Sequence, residues 1–240
     1  MKRGRIFIFL LSVSTIVLLL YQHNHALPSF APQRIPDVTL IIDPGHGGED
    51  GGAVSPGGTV ESHINLQISL RLAALLDIYG IPYNLLRDSD RSLHSDSCKT
   101  LREKKVFDLR NRVSAIESTP NAIVMSIHQN IFSNSRYHGA HVFFSAHPES
   151  LSFAQTVQST LKQALDPENN RIPAQIPDSV YLMKHITCPA VLVECGFLSN
   201  LEEEALLKTV EHQTKLAITL VSSYIQYQDT AKEELTYESS

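Results

Sequence analysis

The sequence has only three cysteines in 240 residues, Cys98, Cys188 and Cys195. Three thiols cannot all pair within one chain, and so few exclude a disulfide scaffold even in an oxidising compartment. Their spacing matches no zinc-finger pattern, and Cys188 and Cys195, in or beside an apolar run, read as free buried thiols. A basic excess is missing too: 20 Lys and Arg face 25 Asp and Glu, which leaves no broad electrostatic footprint for nucleic acid. Nor does the long apolar run near the start reach membrane-spanning length. Residues 6–20 are fifteen in number and rise about 22 Å as a helix, against roughly 30 Å of hydrocarbon.

That run follows MKRGR, and together they read as an export segment over residues 1–26, either a signal peptide cleaved after Ala26 or an N-terminal membrane anchor. Membrane contact is expected through this segment alone, with the rest of the protein extracytoplasmic. Residues 27–36 hold three prolines and read as an extended linker. One domain then spans 37–228, with a polar, frayed tail over 229–240. Its 42% hydrophobic content is ample for a single core.

Within the domain, short apolar runs alternate with amphipathic stretches. Strands are expected at 38–42, 83–86, 122–127, 140–145 and 190–193, with a short one at 180–183. Helices are expected from Glu61 to Tyr79, stopped by Gly80-Ile81-Pro82, and at 106–117, 149–165, 202–207 and 209–227. Residues 88–105 and 166–178 read as loops. The alternation predicts an α/β fold with a mostly parallel twisted sheet of about six strands, covered by helices on both faces. Ligands of such sheets gather outside the carboxyl ends of the strands.

Three of these strands end in chemistry-bearing residues. Asp43-Pro44-Gly45-His46-Gly47-Gly48 places a histidine in a glycine turn directly after a strand. A phosphate loop is excluded, because no Gly-Lys-Ser/Thr follows and a G-x-G-x-x-G from Gly45 breaks at Asp50. Glu61 opens a helix, where a carboxylate also complements the helix dipole, and His128 closes an apolar strand, where a histidine also serves as a core-edge residue. Together the three make two imidazoles and a carboxylate, a set that gives zinc three protein ligands and leaves a position for water. Glu194 follows an apolar strand, where partial desolvation raises a carboxyl pKa and suits a general base; capping the next helix is the plainer reading.

IIDPGHGG, the Glu61 helix with Asn65, SIHQN at 126–130 and LVECGFLSN at 192–200 occur in this order in the zinc-dependent N-acetylmuramoyl-L-alanine amidases. The chain resembles that family from about residue 38 to 227. The resemblance implies one Zn²⁺ held by His46, Glu61 and His128, with Glu194 as the catalytic glutamate, and hydrolysis of the amide between the lactyl group of N-acetylmuramic acid and L-alanine in peptidoglycan. Glu194 would take a proton from the attacking water and return it to the departing alanine nitrogen. Asn130 is a site-shaping residue on this reading, although Gln129 and Ile131 stand where smaller residues are frequent in the family. Arg87, Arg110 and Arg112 are expected to brace the sheet, His63 to lie at the surface, and His138, His141 and His147 to be solvent-facing or structural.

No repeat of 20 to 50 residues is visible, so a repeat-built wall-binding module is not expected. The stretch 130–139 is too short for an inhibitory helix. YLMKH followed by PAVLVECGFLSN resembles the germination-specific spore-cortex subgroup, which implies stem-peptide removal ahead of muramic δ-lactam formation by a separate deacetylase. Three other readings stay open: a zinc peptidase cutting within the stem peptide, an inert wall-binding regulatory protein, and a glycosidase using Glu61 and Glu194 as paired carboxylates.

Overall fold

The computed structural model describes residues 38–238, with side chains to residue 232. The expected export segment, linker and first domain residue lie outside the described residues. Six strands form one sheet: β1 (Thr39–Pro44), β2 (Tyr83–Leu85), β3 (Ala122–Asn130), β4 (His141–Phe144), β5 (Ala174–Gln175) and β6 (Ala190–Phe197). Their order is β2-β1-β3-β6-β4-β5, all parallel to their neighbours except β4 against β6. The helices are α1 (Glu61–Tyr79), α2 (Leu101–Glu117), α3 (Ser150–Leu165), α4 (Tyr181–His185), α5 (Leu201–Leu207) and α6 (Val210–Glu238).

Alternation along the central strands sorts the core into two layers. Leu40 and Ile42 of β1, Met125 and Ile127 of β3, and Val191 and Val193 of β6 face one side, where α1, α3 and α6 bring Ile68, Phe153 and Leu220. Ile41, Val124 and Leu192 face the other, under Ile116 of α2 and Leu182 and Met183 of α4. The α/β expectation is met, with helices on both faces of a mostly parallel sheet. No helix among the described residues is long and apolar enough to cross a membrane.

Helix α1 has the expected limits because Gly80 adopts a left-handed conformation (φ 59°) and closes its last turn with bonds from Gly80 N to Asp77 O (3.0 Å) and Ile81 N to Leu76 O (2.9 Å). Several elements differ from expectation. Helix α2 starts at Leu101 instead of 106, since Thr100 and Glu103 form a capping box that satisfies the first N–H groups without any apolar period. Residues 181–185 are helical where a strand at 180–183 is expected, and β5 lies inside the expected 166–178 loop. Helix α6 runs on through the expected frayed tail to Glu238, because Ala231, Lys232, Glu233, Glu234 and Leu235 favour helix and no Gly or Pro interrupts them. Strands β3 and β6 run past their apolar cores, so His128 and Glu194 lie within paired strand. All three cysteines are free, Cys98 and Cys195 buried and Cys188 half-buried.

Candidate metal centre and active site

Residues 44–48 leave β1 through a turn whose carbonyls are held by buried guanidinium groups. Arg87 donates through Nε to Pro44 O (2.9 Å) and through Nη2 to Gly45 O (3.0 Å) and Ser62 O (2.8 Å). Arg112 donates to Pro44 O (2.9 Å) and His46 O (2.7 Å). These bonds hold His46 at φ +60°, a left-handed conformation that costs a residue with a Cβ about 1–2 kcal/mol. Gly45 is required here by close approach: a Cβ would meet the His128 ring at 2.3 Å.

Arg112 is also paired with Asp43 and with Asp108 (2.8 Å to Oδ2), and Ser126 Oγ donates to Asp43 Oδ2 (2.6 Å). Burial opposes ionisation of Asp43, but Arg112 and Ser126 outweigh it and hold the carboxyl below the usual carboxylate range. Both arginines are fully buried, so the expectation that they brace the structure holds, and what they brace is the His46 turn. Arg110 is exposed.

His46, Glu61 and His128 converge: one ligand atom from each lies within 4.8 Å of the others. Glu61 Oε2 is 3.4 Å from His46 Nε2, and Oε1 is 2.9 Å from His128 Nδ1. Donors around a tetrahedral zinc stand about 3.3 Å apart, so these spacings suit a single ion. Ala53 N (2.8 Å) and Gln129 N (3.1 Å) donate to the same carboxylate, which fixes it from behind. Asp50 Oδ2 lies 3.0 Å from His46 Nδ1, fixing that nitrogen as the donor and leaving Nε2 toward Glu61. Burial alone would lower the His46 pKa, yet Asp50 and Glu61 raise it to about 9. Burial likewise disfavours the Glu61 carboxylate, but the two imidazoles hold its pKa well below the usual range. The cluster therefore favours positive charge between these atoms, which is what a metal ion supplies.

Glu194 lies directly beside His128 in the β3–β6 register, on the same face of the sheet. Its Oε2 is buried and accepts no hydrogen bond. Burial, which His128 opposes and Glu61 reinforces, pushes the pKa up to about 7. Both residues line a cavity of about 310 Å³ with His46, between α2 and α4. Its far wall is apolar, built from Leu109, Val180, Leu182, Met183 and Leu192.

The turn after Glu194 is tied down by the next helix. Glu203 accepts from Phe197 N (2.7 Å) and Gly139 N (2.8 Å), and Asn200 caps α5 while donating to Ser135 O (3.0 Å). Glu204 accepts from Ser55 Oγ (2.8 Å) and Thr59 Oγ1 (2.5 Å), joining α5 to the loop that leads into Glu61.

Asn130 stands at the end of β3, where its carbonyl accepts from Leu198 N (2.8 Å), and it is not among the residues lining the cavity. His63 is at the surface beside Asp90, and His138, His141 and His147 lie outside the cavity. Residues 131–140 contain no helix. Asp50 and Lys105, which no sequence motif marks as site residues, both line the cavity. A carboxylate four residues after a histidine in a glycine turn is the signal for Asp50; Lys105 sits in a stretch without period and has none.

The family model described as N-acetylmuramoyl-L-alanine amidase matches residues 40–225. The germination-specific N-acetylmuramoyl-L-alanine amidase of Bacillus subtilis is 32% identical over 216 residues, covering 88% of this chain and 90% of that one. Among solved structures, the CwlD amidase of Clostridioides difficile in complex with the GerS lipoprotein is 37% identical, covering 80% of this chain and 99% of that one with a TM-score of 0.78. An N-acetylmuramoyl-L-alanine amidase from Clostridium difficile 630 is 28% identical over 80% of this chain and 97% of that one, at a TM-score of 0.70.

Proposed function

The chain belongs to the N-acetylmuramoyl-L-alanine amidase family, and on that premise we propose that His46, Glu61 and His128 bind one zinc ion and that Glu194 is the general base for cutting the lactyl–L-alanine amide. The observation that carries this reading is the buried, unpartnered Oε2 of Glu194 in the same cavity as the converging ligand trio. Zinc held by these residues would supply a Lewis acid for the lactyl carbonyl and for an attacking water. Glu194, whose carboxyl pKa is raised by burial, accepts a proton as the water oxygen bonds to the lactyl carbon. It then gives the proton to the alanine nitrogen as the C–N bond breaks, leaving a lactyl carboxylate and a free amine. The apolar wall between α2 and α4 limits water beside the reacting atoms. Asn130 acts indirectly, by fixing the turn at Leu198.

The likeness to the germination-specific relative supports spore-cortex peptidoglycan as the substrate, with a separate deacetylase completing a muramic δ-lactam. The solved complex of a relative with a lipoprotein supports a lipoprotein partner here. Action on peptidoglycan supports an extracytoplasmic location, secreted or anchored by the N-terminal segment.

Mass analysis of digested peptidoglycan tests the reaction: peptides bearing a free L-alanine amine are expected, and a chelator is expected to abolish their release. Cuts between two amino acids would mark a peptidase, and new reducing ends that persist in chelator a glycosidase. Zinc titration of Gly45→Ala tests the ligand set. A Cβ in van der Waals conflict with the His128 ring is expected to displace that ligand and weaken zinc binding by roughly 10–100-fold. Wild-type affinity in this variant would remove His128 from the ligand set.

A further inference from the structure

Two cationic side chains line the cavity, and they differ in what they are free to do. Arg112 is 2% exposed and its guanidinium is fully engaged by Asp43, Asp108 and the carbonyls of Pro44 and His46. Lys105 lies on the same face of α2 at its cavity edge, with its side chain 54% exposed and its Nζ 3.1 Å from Asp50 Oδ2. That oxygen is the one bonded to His46 Nδ1. The ammonium group is thus one carboxylate and one imidazole away from the centre of the ligand trio, at the mouth of the cavity.

The cavity is otherwise acidic, since Asp43, Asp50, Asp108 and Glu194 all line it. Asp43 and Asp108 share the buried arginine, and Asp50 faces the mouth beside Lys105. An ammonium with three donors can keep Asp50 and still accept a second anion.

The scissile amide of this reaction is followed by L-alanine and then by the second stem residue, a D-glutamate joined through its γ-carboxyl. Its α-carboxyl is left either free or amidated. Two residues of extended chain reach about 7 Å. Lys105 Nζ is joined to the ligand trio through Asp50 Oδ2, 3.1 Å from Nζ and 3.0 Å from His46 Nδ1, which puts the ammonium in the same cavity as a carbonyl held at the trio. We propose that Lys105 reads the α-carboxylate of the second stem residue, so that the enzyme favours stems carrying a free carboxylate there over stems carrying a carboxamide.

The proposal rests on the amidase reading, and its test separates the two. Defined muramoyl peptides with D-glutamate or D-isoglutamine at the second position are hydrolysed by the full chain and by Lys105→Gln and Lys105→Arg, with the free L-alanine amine identified and zinc content measured. The wild type is expected to prefer the carboxylate substrate by roughly tenfold in kcat/KM, expressed in KM, which is the worth of one charge-assisted hydrogen bond. In Lys105→Gln the ratio is expected to fall to near unity at full zinc occupancy, and Lys105→Arg is expected to restore most of it. A wild type that releases the alanine amine equally from both substrates overturns the role of Lys105 and leaves the amidase reading intact. Equal losses on both substrates in Lys105→Gln, or lost zinc, show that Lys105 only supports Asp50 and His46, and overturn it too. Failure of the wild type to release an alanine amine from either substrate overturns both.

Discussion

Glu194→Gln is expected to lower kcat/KM for release of peptide from peptidoglycan by about 10²–10⁴-fold, the usual worth of a positioned proton acceptor, while zinc content stays at the wild-type level. Gln keeps the shape of the side chain and the β3–β6 pairing but cannot take a proton from water. Near wild-type turnover in this variant would remove Glu194 from the mechanism. The same substitution has a consequence for stability, because burial raises the Glu194 pKa from 4.5 to about 7. A carboxyl with a folded pKa above its unfolded value binds the proton more tightly in the folded state. It costs nothing below about pH 4.5, and destabilises the fold increasingly as pH rises toward 7. In melts of chelator-treated protein, Glu194→Gln is therefore expected to match the wild type at low pH and to exceed it near neutrality. A variant that melts lower at neutral pH would mean that the carboxylate has a stabilising partner.

The largest effect on stability is expected at Arg112. Arg112→Met keeps the length and apolar contacts of the side chain but leaves Asp43, 1% exposed, with only Ser126 as a donor among its partners, takes the guanidinium from Asp108 and the His46 carbonyl, and leaves Pro44 O to Arg87 alone. Removing one member of a buried ion pair typically costs about 3–5 kcal/mol, which for a domain of this size lowers Tm by roughly 6–20 °C. Pairing it with Asp43→Asn is expected to recover part of the loss, since the more deeply buried of the two stranded carboxylates is then gone. Acid acts on the same pair. The Asp43 pKa is depressed in the fold, so its contribution is complete above the ordinary value of 3.8 and is lost as pH falls through the lower, folded one. A double variant no more stable than Arg112→Met would show that the lost bonds to the His46 turn, rather than the stranded carboxylate, set the cost.

The central sheet and the site-bearing residues were readable from the sequence for the same reason: each central strand is a continuous apolar run that ends in polar residues. Residues 122–127 and 190–193 stand out because both faces of those strands are covered, and His128 and Glu194 mark where the cover stops. The start of α2 was hidden because Leu101, Arg102, Val106 and Phe107 are all exposed, so no apolar period announces the first turns; only Thr100 and Glu103 mark it. The antiparallel placement of β4 and the short β5 depend on which edge pairs with which, and local pattern carries no such information. Asp50 and Lys105 acquire meaning only once α2 is laid across the His46 turn. What they contact is set by tertiary folding, across 55 residues of chain.

The tie between Glu204 and the Ser55–Thr59 loop bears on when the enzyme becomes able to cut. The loop that positions Glu61 is secured by a helix near the end of the chain, and β6 fills the middle of the sheet between β3 and β4. A partly synthesised or partly folded chain can contain His46, Glu61 and His128 and still have neither the carboxyl group of Glu194 nor the anchor for its own metal-side loop. Contacts between such distant parts of a chain form late, because loop closure has to come first. Hydrolytic competence is therefore switched on by completion of the fold, and the emerging polypeptide is kept harmless by the order in which its pieces meet.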